Sequence, residues 1–155
     1  MSIECVALIG ENNNPLYLAT YPKLDGTDLQ HRFQLIIYSS LDIIDAWVKQ
    51  RKSGNSDNSN VDNQFVGYLC SLEHFKVFGY VTNTSLKFLI VVSDEIDSLR
   101  LPFGSVHNFF LNFHQIYIEA LYNPFYKVGA PLTSPKFAQK MSLLVSQSEK
   151  KIFTK

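Results

Sequence analysis

The alternation of apolar and polar positions along this chain is clearest between His74 and Val92, HFKVFGYVTNTSLKFLIVV. It predicts two long strands joined by a two-residue turn at Asn83-Thr84, where asparagine tolerates the positive φ of a tight hairpin. Phe75, Val77 and Val81 fall on one face of the first strand, and Phe78 and Tyr80 on the other. In the second strand Leu86, Phe88, Ile90 and Val92 share a face, with Leu89 and Val91 opposite. A hairpin apolar on both sides belongs in the middle of a sheet, with a layer above and a layer below.

The remaining pattern supplies those layers. Ile3–Ile9 reads as a strand with Ile3, Cys5, Ala7 and Ile9 on one face. Gly10 to Pro15 has turn composition, and Leu16–Tyr21 returns as a second strand, ended by Pro22. Asp28 is placed to cap a helix from about Leu29 to Gln50. Ser53–Asn63, SGNSDNSNVDN, has the composition of a mobile surface loop, and deleting Gly54 through Asn60 is expected to leave the fold intact. Gln64–Leu72 is a third strand leading into the hairpin. The order is then hairpin, helix, three-stranded meander, and a crossover brings the last strand beside the first. A second helix spans about Ser105–Tyr122, capped by Ser105 and stopped by Asn123-Pro124. A third begins at Ser134-Pro135, with Phe137, Met141, Leu144 and Val145 as its buried stripe. The expected architecture is α+β: one domain over residues 1–155, a five-stranded, mostly antiparallel sheet, one helix on one face and two on the other.

The first helix carries an irregularity. At about 100° per residue, Phe33, Ile37, Leu41, Ile44 and Val48 form its core stripe, flanked by Ser40, Trp47 and Ile36. Leu35, Tyr38, Ser39, Asp42, Ile43 and Ala46 lie about 100° or more from that stripe. A solvated face carries Lys, Glu and Arg. This one is small or apolar with a single carboxylate, the composition of a face that meets another protein. Asp42, Tyr38, Ile43, Leu35 and Ala46 are therefore the candidate partner-binding residues.

Composition narrows the rest. The 155 residues are 46% hydrophobic and 14% aromatic, enough for a core without disulfides or metal. Lys plus Arg and Asp plus Glu are 14 each, so bulk electrostatic binding to nucleic acid or an anionic membrane is not expected. Lys150, Lys151 and Lys155 read as a frayed, solvated tail. The start lacks the basic and apolar regions of a signal peptide, and no apolar run approaches the roughly 20 residues of a membrane span. The chain is expected to be cytoplasmic.

Candidate chemistry is sparse. The closest pair of the four histidines, His107 and His114, stands seven residues apart on one helix, about 10.5 Å along its axis and too far to share a metal. The two cysteines, Cys5 and Cys70, lie in apolar strands and are expected to be reduced and inert. No phosphate-binding glycine loop is present. No catalytic, cofactor or metal site is expected. Asp45 and Lys49, four apart on the first helix, read as a surface ion pair, which leaves Asp42 unexplained.

Three blocks together resemble the sedlin family of trafficking-complex subunits. They are Leu41-Asp42-Ile43-Ile44-Asp45; the hairpin's Gly79-Tyr80-Val81-Thr82-Asn83 with Lys87-Phe88; and Asn123-Pro124-Phe125-Tyr126, followed by Pro131 and by Ser134, Phe137 and Ala138. The resemblance runs from about residue 3 to 145, and the hairpin's wording is more similar to the sedlin-like (subunit 2-like) branch. It implies a longin-like fold and a non-catalytic adaptor role in the TRAPP (trafficking protein particle) tethering complex. That complex acts as an exchange factor for Rab-type GTPases. The implied partners are other TRAPP subunits, including the large Golgi-form subunits, and indirectly Rab-type GTPases. The implied location is peripheral, on Golgi and ER-Golgi membranes. A small longin-like subunit of a vesicle coat adaptor, or another trafficking interaction module, is the alternative. The 53–63 loop and Lys127-Val128-Gly129-Ala130 depart from the family's pattern. Asn123-Pro124-Phe125-Tyr126 is expected to be a structural corner, its two aromatics plugging the gap between the last two helices. On that reading Phe125→Ala costs about 3 kcal/mol.

Overall fold

A computed structural model describes residues 3–21, 27–52, 65–72, 74–82, 84–93 and 103–153. Its elements are β1 (Ile3–Ile9), β2 (Pro15–Thr20), α1 (Thr27–Lys52), β3 (Phe65–Leu72), β4 (Phe75–Val81), β5 (Lys87–Ser93), α2 (Phe103–Leu121) and α3 (Pro135–Phe153). The strands form one sheet in the order β2-β1-β5-β4-β3, every neighbouring pair antiparallel. The last strand lies beside the first, as the crossover predicts. The 53–63 loop lies outside the described residues.

Both faces of the sheet are covered. Val77, Val81, Leu89 and Val91 join Phe33, Ile37, Leu41 and Ile44 of α1 in one core. Phe78, Tyr80, Phe88, Ile90 and Val92 join Phe109, Phe110 and Phe113 of α2 and Phe137 and Met141 of α3 in the other. Each such fully buried Phe contributes roughly 1.5–3 kcal/mol relative to exposure. In the second core Tyr80 stacks on Phe110, with ring centroids 5.7 Å apart. Phe88 meets Phe113 edge-on at 4.8 Å. The predicted stripe of α3, Phe137, Met141, Leu144 and Val145, is buried throughout.

Some local expectations are corrected. The hairpin reverses through three residues rather than two. The Ser85 amide donates to the Thr82 carbonyl at 3.1 Å, the Thr82 amide to the Leu86 carbonyl at 2.9 Å, and the positive φ of 64° falls on Ser85. Thr82 stabilises the reversal by accepting the Leu86 amide on its Oγ1 at 3.1 Å. Asn83 itself lies outside the described residues. Ile3 does not share a face with Cys5, Ala7 and Ile9. A register shift between Ile3 and Cys5 in the pairing with β5 turns Ile3 into the α2–α3 core. Asp28 and Ser105 are not caps: α1 starts at Thr27, with Asp28 inside its first turn, and α2 starts at Phe103. There Asp28 complements the positive end of the helix dipole instead. The helix α3 continues through Phe153, so Lys150 and Lys151 belong to a helix rather than a frayed tail. Lys155 lies outside the described residues.

Gly79 lies on the β4 face that packs under α1. A Cβ there would meet Leu69 Cδ1 at 2.9 Å and Ile44 Cδ1 at 3.5 Å. The bare backbone lets α1 and β3 close on β4 at this point.

Candidate functional site

Helix α1 presents its stripe of Phe33, Ile37, Leu41 and Ile44 to the sheet and buries all four. The opposite face is turned outward by the same geometry. Leu35 is 68% exposed, Tyr38 45% and Ile43 40%, and Ser39, Asp42 and Ala46 are exposed with them. The five residues expected to bind a partner thus share one outward face. The Ser39 hydroxyl donates back to the Leu35 carbonyl at 2.8 Å, which leaves Asp42 as the face's charged group.

The two carboxylates of this helix have different surroundings. Asp42 makes no hydrogen bond and no ion pair among the described residues. Asp45 takes its ion-pair partner from β5 rather than from the expected Lys49. Its Oδ1 accepts the ammonium of Lys87 from β5 at 2.7 Å, and its Oδ2 accepts the Asn13 side-chain amide at 3.4 Å. Asn13 Oδ1 also accepts from Lys87. Asn13 takes a left-handed φ of 59°, open to a short amide side chain. The Lys87 side chain is only 6% exposed, so it requires a partner. Partial burial pushes the Asp45 carboxyl up. The Lys87 hydrogen bond and charge, helped by Asn13 and Lys49, outweigh this and hold it below the ordinary carboxylate value. Sequence reasoning missed this triad. Its signal was a lysine opening the otherwise apolar strand Lys87–Val92.

Beside the outward face, a pocket of about 270 Å³ lies between α1 and the β1–β2 hairpin, lined by Ile9, Pro15, Leu18, Gln30, Gln34, Ile37 and Tyr38. Tyr38 belongs to both surfaces, so the helix face adjoins a hollow of side-chain size.

The Asn123-Pro124-Phe125-Tyr126 corner is built differently from the expectation. The Asn123 Oδ1 accepts the Phe125 amide at 3.1 Å, and the Asn123 carbonyl accepts the Tyr126 amide at 3.1 Å. Tyr126 packs on the core, and its hydroxyl donates to the Ala130 carbonyl at 2.8 Å. The Asn123 turn directs Phe125 the other way, and its ring is 91% exposed. Only one of the two aromatics fills the gap.

The two thiols are differently placed. Cys5 is buried, and desolvation pushes its thiol up to about 12. Cys70 lies 3.4 Å from the Ser40 hydroxyl. Among the described residues no three His, Cys, Asp or Glu side chains are grouped to hold a metal ion. No helix among them is long and apolar enough to cross a membrane.

The profile of the family described as Sedlin matches residues 8–147. The chain is similar to a trafficking protein particle complex subunit 2-like protein of Dictyostelium discoideum, 34% identical over 143 residues, which covers 92% of this chain and 96% of that one. The Xenopus tropicalis protein of the same name is 34% identical over 133 residues, 86% of this chain and 89% of its own. Trafficking protein particle complex subunit 20 of Saccharomyces cerevisiae is 24% identical over 163 residues, 89% of this chain and 93% of its own.

Proposed function

The chain belongs to the sedlin family, and from that membership we propose that it is a non-catalytic adaptor subunit of a trafficking protein particle complex. Its partners are other subunits of that particle, including the large subunits of the Golgi form. Its connection to Rab-type GTPases is indirect, through the assembled complex. It works at Golgi and ER-Golgi membranes as a peripheral component. What supports the adaptor reading is the outward face of α1, small and apolar residues around one carboxylate.

One observation carries the assignment of the contact face: Asp42 has no hydrogen-bond or ion-pair partner among the described residues, while Asp45, one turn away, is tied inward to Lys87. An exposed carboxylate among Leu35, Tyr38 and Ile43 contributes little to folding. It offers acceptors to a donor arriving on a partner. The apolar residues supply contact area, and Asp42 sets the register. Asp42→Ala is expected to shift folding stability by no more than about 0.5 kcal/mol. Its association with particle subunits is expected to weaken by about 2–5 kcal/mol, the usual effect of removing half of a desolvated charged pair. Melting temperature and co-precipitation of the particle, measured on the same variant, test this. Undiminished co-precipitation, or a variant that unfolds, defeats the assignment. The purified single chain is expected to show no nucleotide exchange on a Golgi Rab.

A further inference from the structure

We propose that the cleft between the ends of α2 and α3 is a second docking site, and that it takes an extended, acidic segment of a partner protein carrying an apolar side chain. The cleft has a volume of about 640 Å³ and is floored by Ile116, Ala120 and Phe137, with Phe125 at its edge. Three large apolar side chains crowd this end of the molecule: Tyr122 is 78% exposed, Phe125 91% and Val128 82%. Phe125 is not loosely displayed. The Asn123 side chain and carbonyl fix the backbone at Phe125 and Tyr126, and the Tyr126 hydroxyl anchors the turn to Ala130. An aromatic ring held outward on a fixed turn costs little entropy to engage.

Charge and backbone identify the occupant. Glu119 is neutralised by Lys140 at 2.5 Å. Lys136, in the first turn of α3, lines the cleft, and Lys127 follows Tyr126; both are exposed. Neither has an ion-pair partner among the described residues. The rim is therefore net positive and continues onto the positive end of the α3 dipole, which favours carboxylates. The wall from Pro131 to Ser134 runs without regular structure. The Thr133 backbone makes no hydrogen bond among the described residues, so the wall offers main-chain groups to an extended peptide. A lipid surface has no use for them.

The test places p-benzoylphenylalanine at position 125 of the full-length protein in cells, with cross-linked peptides identified by mass spectrometry. The expected product joins position 125 to an Asp- or Glu-rich, apolar-bearing segment of another protein. The double reversal Lys127→Glu with Lys136→Glu is expected to lower its yield about tenfold, as when exposed ion pairs become like-charge contacts, without changing the melting temperature. Cross-linking to lipid, to a second copy of this chain or to a segment without acidic residues overturns the proposal. So does a yield indifferent to the reversal. Asp42→Ala separates the two surfaces: it is expected to reduce particle co-precipitation, while a particle-bound chain that gives no cross-link at position 125 rejects the cleft alone.

Discussion

At the scale of single residues, the two aspartates of α1 stand three positions apart in different surroundings, Asp42 exposed and Asp45 tied to β5. Asp45 neutralises an ammonium only 6% exposed. Asp45→Ala is expected to destabilise the fold by about 2 kcal/mol, at the low end for an orphaned buried charge because Asp45 is itself 38% exposed. Lys87→Met in the same chain should restore most of that loss, as urea titration of the double-mutant cycle would show. The Asp45 carboxyl is held below its ordinary value of 3.8. Its contribution is complete above that pH and is lost as the pH falls through the lowered folded-state value. Phe125→Ala, by contrast, is expected to cost less than about 1 kcal/mol in denaturant titration, since the ring is already in water. Neither assignment was legible in the sequence. Asp45 has a lysine four residues away that satisfies the local rule, while its main partner arrives from a distant strand. An Asn-Pro-Phe-Tyr block names a turn but not which aromatic faces inward, which the Asn123 hydrogen bonds decide.

Among the elements, legibility followed periodicity. The two faces of β4 and β5 and the stripes of α1 and α3 follow from spacings of 2 and 3.6, and the structure packs them into its two cores, with Phe75 and Val48 at the margin. Ile3 escaped because a register shift breaks the alternation without changing the composition. Asp28 and Ser105 escaped because each helix starts earlier than its best capping residue. Gly79 is a contact between elements: Gly79→Ala is expected to cost about 1 kcal/mol through overpacking, and less in a Leu69→Ala background. On α2, His114 lies against Phe88 at 5.4 Å and Tyr80 at 6.2 Å, and burial lowers its pKa from the ordinary 6.5. The folded chain therefore takes up its proton later than the unfolded one. Stability is unaffected above pH 6.5 and falls as the solution is acidified below it. His114→Gln should flatten that part of a stability-versus-pH curve measured by thermal melting.

For the whole molecule, the sheet order carries a consequence in time. β1 sits between β2 and β5, and its Val6 and Leu8 pair with Ile90 and Phe88. During synthesis, β1 and the α1 stripe leave the ribosome long before β5 exists. Until then a hairpin of β1 and β2 offers an open, apolar edge to any passing chain. Closure must wait for contacts of high sequence separation, so refolding is expected on the millisecond-to-second scale rather than in microseconds. A nascent chain stalled before residue 87 should be held by chaperones and digested readily, and one stalled beyond α3 should resist the same protease. A subunit built this way is most vulnerable before it is complete, and a cell would have reason to shelter it until then.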